Sequence, residues 1–405
     1  MGLHLSLMKT FLMRELLRSI FRFKHIAVTL VASFLMLLVV FGLLFSISFL
    51  NPVERAYENF RMTDLFYDAD NYGGERDTSG VITLVDMTDV FSRSRLAEIV
   101  EGIDALEPSI LGVDIVFDGL RDDSVGNERL IEAVCNTKSQ TIWAYKLTEW
   151  SDDVEEFTKT YHSFFTEYVE VEEGYTNVQR DINGGTVRTF GLQRKAEGRI
   201  EYSLPARVAM GATNDSSFLR FTDCNIRYSS IQFPVVPCDS IADYADFIRG
   251  HIVLLGATDD KRDLHYTPMG HIAGLKILAY TVQTIISNQI PIETSLWATI
   301  LLTVLLIWLG ELFQHGVTYF LSKRKNWFLQ ELARKDLVSG LIFIIYIIIL
   351  VWADFLFFIK TNHYFNMGWA IMGIALLETS HKWCPLLHRI YLESIDFIKS
   401  KLHKK

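Results

Sequence analysis

Cysteine, proline and glycine are all scarce in this chain of 405 residues, which contains 4, 8 and 24 of them. So few cysteines exclude a scaffold held together by disulfides, and the low proline and glycine content excludes collagen-like and low-complexity disordered chains. Half of the residues are hydrophobic and the net charge is -9. At roughly 150 residues per domain, this length predicts two or three structural units.

The sequence also lacks the short motifs of common enzymes. It has no Gly-x-Ser-x-Gly elbow, no His-Glu-x-x-His pair, no Walker loop and no dinucleotide-binding glycine fingerprint. The histidines at 162, 251, 265 and 271 do not have the spacing of metal ligands. We therefore expect no enzymatic activity and no bound cofactor.

Four apolar runs predict membrane-spanning helices, because about 20 such residues cross a bilayer. The first run covers 25–50 and is too long for the core of a cleaved signal peptide, so we expect it to remain as an anchor. The other three cover 295–314, 337–360 and 364–380, of which the last is short.

Basic residues cluster in three segments that flank the apolar runs, namely 1–24, 315–336 and 381–405. Such segments prefer the cytoplasm, and all three lie on one side only if there are four spans. This places both termini in the cytoplasm of a cell with an inner (plasma) membrane, and 51–294 outside it. The outer segment has a net charge of -18 and the rest of the chain +9, which argues against nucleic acid as a partner. The amphipathic tail at 381–405 is predicted to contact the bilayer surface or a partner helix.

The segment 51–294 alternates strand-like and helix-like patterns, which is typical of an α/β domain with a mainly parallel sheet. The stretch 148–171 has no clear period and is interpreted as an exposed insertion. Strands are predicted at 81–85, 110–117, 141–145 and 251–255, and helices at 95–106, 128–134 and 273–290.

Acidic side chains accompany three of these predicted strands. Asp86 follows the first, Asp114 lies in the second and Asp263 follows the strand at 251–255. Because the carboxyl ends of parallel strands meet at one edge of a sheet, these side chains are expected to converge there, with Arg95 and Thr258 nearby. These five residues are the candidate ligand-binding residues.

Three interpretations of this acidic group remain open. The carboxylates cap helices and fasten loops, or they bind a ligand, which would be Mg²⁺, Ca²⁺ or a cationic small molecule balanced by Arg95. In the third interpretation Asp86, Asp114 and Asp263 serve a metal-dependent hydrolase. No metal is assigned by the sequence. Separately, Cys224 and Cys238 are close enough in sequence for a disulfide in an oxidising compartment.

Several stretches of the outer segment occur in an order that resembles the type-two CHASE domain, an extracellular sensory domain attached to cyclases, histidine kinases and related signalling proteins. The resemblance covers about 51–290, and the family commonly has one span before this domain and three after it. The matching stretches are VITLVDMTD at 81–89, PSILGVDIVF at 108–117, GYTNVQRDINGGTVRTFGL at 174–192, YSLPARVA at 202–209 and FIRGHIVLLGATDDKRDLHYTPMG at 247–270.

The chain departs from the family's usual pattern in three places. Phe91 and Ser92 occupy the positions of a common Trp-Pro pair, Asn127 occupies that of an aspartate, and the family favours a histidine near Leu278. Family members usually continue into a cytoplasmic output domain, whereas this chain ends 25 residues after the fourth predicted span. The resemblance thus implies a homodimeric sensor that lacks its own output domain and relays to cytoplasmic signalling proteins. The alternative is a structural or scaffolding subunit of an envelope assembly.

Overall fold

The computed structural model describes residues 23–44, 61, 63–67, 77–178, 185–324, 327, 336–386, 389 and 393. The predicted cytoplasmic segment 1–24 and the tail 381–405 therefore lie largely outside the described residues. The chain divides into two compact units. One comprises Glu58–Ile292 and the other Met1–Tyr57 with Glu293–Lys405.

Strands and helices alternate through the larger unit, as the sequence predicts. The connections between them include a helical turn at Phe164–Glu167 and several other short turns. The helices of both units are Phe23–Leu44 (α1), Arg93–Asp104 (α2), Ser124–Asn136 (α3), Leu204–Thr213 (α4), Ala245–Ile248 (α5), Gly274–Ile286 (α6), Leu296–Ser322 (α7), Asp336–Thr361 (α8) and Gly368–Ala375 (α9). The strands of the larger unit are Ile82–Asp86 (β1), Ile110–Val113 (β2), Thr141–Ser151 (β3), Glu156–Tyr161 (β4), Glu172–Tyr175 (β5), Thr189–Gly191 (β6), Gln193–Ala196 (β7), Arg199–Tyr202 (β8), Asp223–Asn225 (β9), Val235–Pro237 (β10), Ile252–Gly256 (β11), Leu264–Thr267 (β12) and Gly270–Ala273 (β13).

Six strands form the parallel part of the main sheet, in the order β10, β1, β11, β2, β3, β5. The second half of β3 pairs antiparallel with β4, and β7 and β8 extend the sheet further. The predicted α/β domain with a mainly parallel sheet is therefore confirmed, with a mixed extension. Residues 148–161 of the stretch interpreted as an exposed insertion lie in this extension, where strand residues are half-exposed and the usual alternation is weak. Phe164 and Phe165 of the same stretch are instead buried in the main core.

Helices cover both faces of the parallel strands. On one face, Leu96 and Ile103 of α2 pack with Leu130 of α3 against the apolar residues of β1, β11 and β2. On the other face, α4 lies close to β2. A Cβ at Gly112 in β2 would be only 3.0 Å from a methyl carbon of Val208 in α4. Both faces of the strands are thus buried, which explains their continuous apolar sequences.

Helices α2 and α3 differ in how their first turns are capped. Helix α2 begins at Arg93, two residues before the predicted start, after Ser92, whose side chain makes no capping hydrogen bond. Helix α3 begins after Asp123, whose carboxylate accepts a hydrogen bond from the Gly126 amide at 2.9 Å. Such caps satisfy amides that have no partner within the helix.

The smaller unit is a bundle of apolar helices. Helix α7 and residues 338–361 of α8 are each long and apolar enough to cross a membrane. Their outward faces carry large apolar side chains such as Leu301, which is 72% exposed, and Ile348, which is 62% exposed. In place of the fourth predicted run at 364–380, the structure has α9 followed by helical residues 377–386. Inside the bundle, Ala32, Ile307, Phe343 and Ile374 of α1, α7, α8 and α9 belong to one apolar cluster.

Candidate functional site

The carboxyl ends of the parallel strands form one edge of the larger unit. Asp86 at the end of β1 is in register with Gly256 at the end of β11, and the Asp114 amide donates a 2.8 Å hydrogen bond to the Leu255 carbonyl. Asp86 and Asp114 therefore flank Gly256 at the same level of the sheet. A Cβ at Gly256 would lie 3.0 Å from a methyl carbon of Leu275, so α6 packs closely against this edge.

Asp86 fastens the loop after β1 to the loop after β11. One of its carboxylate oxygens accepts hydrogen bonds from the Thr88 hydroxyl at 2.6 Å and from the Thr258 amide at 3.0 Å. Burial alone would raise the pKa of Asp86, but these hydrogen bonds outweigh it and hold the pKa below its ordinary value. The Thr88 hydroxyl also accepts from the amides of Thr258 and Asp259 at 3.2 and 3.3 Å. Asp86 and Thr258 are thus brought together, as the sequence predicts.

A cavity of about 420 Å³ opens beside Asp86, and we refer to it as the edge hollow. Residues 86–92, Arg95 and residues 237–239 line it. The Arg95 guanidinium, 40% exposed, reaches Asp239 at 2.7 Å and Glu98 at 2.6 Å, and thereby joins α2 to the segment after β10. Asp86 and Arg95 therefore line the same cavity, in which Asp89 and Asp239 add two further carboxylates.

Asp114 belongs to a second group of polar side chains, the Asp114 cluster, which consists of Asp114, Lys146, Thr176, Asp263 and His265. Burial raises the pKa of Asp114 to about 6; Lys146 opposes this rise and the negative charge of Asp263 adds to it. The His265 Nε2 lies 3.2 Å from one Asp263 oxygen, and the other oxygen accepts from the Gly274 amide at the start of α6. Asp263 thereby links β12 to α6.

Among the described residues, the His265 Nδ1 of the Asp114 cluster is buried without a hydrogen-bond partner, and the Thr176 hydroxyl lies close enough to Asp114 to lower its pKa. Thr176 follows β5 and Lys146 lies in β3, so three neighbouring strands contribute to the cluster. The sequence prediction missed these residues because β5, with the sequence EEGY, has too little apolar character to be recognised as a strand. The five predicted ligand residues therefore divide between two places: Asp86, Arg95 and Thr258 at the edge hollow or its boundary, and Asp114 and Asp263 in the Asp114 cluster.

Arg93 is a buried arginine that the sequence prediction overlooked in favour of Arg95. It is 2% exposed and donates to the carbonyls of Asp118 and Gly119 at 2.7 and 2.6 Å. It also donates to the Asn127 side-chain oxygen, and its guanidinium lies 4.2 Å from the centre of the Phe164 ring. Arg93 thus holds the loop at 118–119 against α2 and α3, which makes it a structural residue.

The disulfide considered between Cys224 and Cys238 is not formed, and both residues carry free thiols. Cys224 is buried in an apolar cluster with Leu192 and Phe218, whereas Cys238 packs at the margin of the cluster around β1 and α2. The separation of 14 positions in sequence does not reveal that the two cysteines enter different cores.

Among the described residues, no group of three or more histidine, cysteine, aspartate or glutamate side chains is arranged to hold a metal ion. In the Asp114 cluster the oxygens of Asp263 are occupied by His265 and by the Gly274 amide. Asp263 thus fastens β12 and α6 through hydrogen bonds within the fold.

Comparison with known proteins assigns the chain to a family. A family model described as CHASE2 domain matches residues 34–312, which is more than half of the chain. Neither the curated proteins nor the solved structures include a match. The matched region contains the edge hollow, the Asp114 cluster and parts of the flanking apolar helices. The chain therefore belongs to the CHASE2 domain family, whose domains are sensory and extracellular.

Proposed function

We propose that the protein is a membrane-anchored extracytoplasmic sensor that relays an external signal to separate cytoplasmic proteins. The edge hollow is the observation that carries the proposal, because it is an open cavity at the sheet edge where α/β domains bind ligands. Membership of a family of sensory extracellular domains supports the same function.

The proposed anchor consists of four spans, with both termini in the cytoplasm. Two observations support it. First, α7 and α8 combine the required length with large apolar side chains on their outward faces, which in water would favour association. Second, the net charge of -18 on 51–294 contrasts with +9 on the rest of the chain, as expected for an outer domain and basic inner segments.

The proposed signal is a small molecule with a positively charged group. Asp86, Asp89 and Asp239 surround the edge hollow, and Arg95 is the basic residue among those that line it. Because Arg95 is already paired with Glu98 and Asp239, the free charge in the hollow is negative. Thermal melting of the full-length protein with a panel of alkyl diamines tests this point. Stabilisation is expected for the wild type and not for Asp89→Asn; equal stabilisation of both proteins would contradict it.

Relay to cytoplasmic partners is tested by crosslinking and affinity purification from native membranes. The full-length protein is compared with a variant truncated after Ser380, and the captured proteins are identified by mass spectrometry. The sensor proposal expects cytoplasmic signalling proteins that are captured by the full-length protein and lost on truncation. Capture of envelope proteins alone, equally by both forms, would instead favour a structural subunit of an envelope assembly.

A further inference from the structure

A buried carboxylate links three helices of the smaller unit. Glu311 of α7 is 1% exposed, and one of its oxygens lies 2.9 Å from the Nδ1 of His25 in α1. The other oxygen lies 2.8 Å from the Nε2 of His381, in the helical residues 377–386. Each imidazole thus presents one nitrogen to Glu311, which fixes the orientation of both rings.

The space beside these three side chains is an open cavity of about 220 Å³. Lys24 and His315 also line it, together with the polar side chains of Gln314 and Thr318. The His315 ring centre lies 4.8 Å from that of His25. Ser339 of helix α8 contacts Gln314. Among the described residues that line the cavity, no charged group comes from α8. One lysine and three histidines therefore face a single carboxylate.

Both oxygens of Glu311 face imidazole nitrogens. The groups left to face the cavity are the Lys24 ammonium and the polar side chains of Gln314, His315 and Thr318. A cavity of this volume accommodates a group of several heavy atoms, since a water molecule occupies about 30 Å³ in the liquid. The chemistry is that of a site for a compact anion.

The same end of the helices carries further basic residues. Lys323 follows α7, and Lys382 lies next to His381, where it pairs with Glu378 at 3.2 Å. Basic segments of this kind lie beside the cytoplasmic leaflet, and basic cavities between spans at that level bind lipid headgroups. The bilayer therefore presents phosphate-bearing anions at the level where the cavity opens.

We propose that this cavity binds the phosphate group of an anionic phospholipid. Lys24 and the histidines at 25, 315 and 381 recognise the phosphate, and Glu311 acts as a positioning residue that holds two of the rings. The inference rests on the membrane anchor in the proposed function and goes beyond the sensory role. A bound lipid would join α1, α7 and the helical residues 377–386 at one end of the bundle.

Native mass spectrometry of the full-length protein from nanodiscs tests the proposal. The discs contain phosphatidylcholine with a minor fraction of phosphatidylglycerol, and the retained phosphatidylglycerol is counted. The double variant Lys24→Gln/His315→Gln removes two exposed cavity groups and leaves the buried Glu311 pairs intact. Loss of the Lys24 charge alone is expected to weaken retention about five-fold, and loss of the His315 side chain should weaken it further.

A matched control separates the site from general attraction to anionic lipid. The double variant Lys323→Gln/Lys382→Gln removes two positive charges from the same end of the helices, outside the cavity. It is expected to lower phosphatidylglycerol retention less than the cavity variant does, because neither lysine lines the cavity. Equal loss of lipid from the two double variants would overturn the proposal. Glu311→Gln should also weaken retention, since an amide cannot accept from both histidines.

Inorganic phosphate distinguishes a lipid from a free anion. In discs of pure phosphatidylcholine, phosphate should leave the melting temperature of the wild type unchanged. If it raises that temperature in the wild type and not in Lys24→Gln/His315→Gln, the ligand is a soluble phosphate and the lipid proposal is wrong. Failure of the full-length protein to associate with membranes at all would instead contradict the proposed anchor.

Discussion

The pH dependence of unfolding should reveal Asp114 as a destabilising charge. Burial raises its pKa in the folded protein to about 6, against an ordinary value of 3.8. A carboxyl group of this kind stabilises the fold while it is protonated, and that contribution is lost as the pH rises through the folded pKa. At about 1.4 kcal/mol per pKa unit, the loss between pH 4.5 and pH 8 is about 2 kcal/mol.

The variant Asp114→Asn mimics the protonated form at every pH and should therefore escape this loss. Its melting temperature, measured by differential scanning fluorimetry on the full-length protein, should exceed that of the wild type at pH 8. For a domain of this size the excess should be roughly 4 to 8 °C larger at pH 8 than at pH 4.5. Asp122→Asn, a change at an exposed carboxylate on the loop before α3, is the control and should show no such difference. An excess for Asp114→Asn that is the same at both pH values would refute the reasoning.

Three further predictions follow from single side chains. Arg93→Ala should lower the free energy of unfolding by about 3 kcal/mol, because the buried Asn127 side chain and two part-buried carbonyls lose their donor. The exposed Arg95→Ala should lower it by less than about 1 kcal/mol in the same denaturant titration. Asp86→Asn should cost about 1 to 2 kcal/mol at pH 7 and progressively less as the pH falls below 4, because the folded pKa of Asp86 is lowered. A maleimide should modify exposed Cys135 in the native protein but buried Cys224 only after unfolding; an oxidised Cys224–Cys238 pair on a non-reducing peptide map would contradict the free thiols.

Continuous apolar runs made the parallel strands predictable from sequence. Strands such as β1 and β11 are buried on both faces, so their position does not depend on a subtle alternation. The hairpin of β3 and β4 and the short strand β5 escaped prediction because their charged side chains weaken the pattern. Local sequence alone could not reveal that these strands extend the same sheet.

The candidate site was predictable only in part. Convergence of Asp86 and Thr258 follows from strand order, which a parallel sheet constrains strongly. Arg95 rather than Arg93 was predicted to bind a ligand because the helix was predicted to begin at residue 95. A shift of two residues on a helix moves a side chain from the buried to the exposed face. His265 and Thr176 join Asp114 through contacts distant in sequence, and no spacing rule anticipates them.

Labelling by a membrane-impermeant maleimide tests the extracytoplasmic position of the sensory domain most directly. Cys135 is exposed in α3 of the larger unit, and Cys384 lies in the helical residues 377–386, at the start of the tail at 381–405. Peptide mapping of the full-length protein after labelling of intact and permeabilised cells, with Cys135→Ser and Cys384→Ser as controls, reports each thiol separately. We predict that Cys135 is modified in intact cells and that Cys384 is modified only after permeabilisation. Protection of Cys135 until the membrane is opened would contradict an extracytoplasmic sensor.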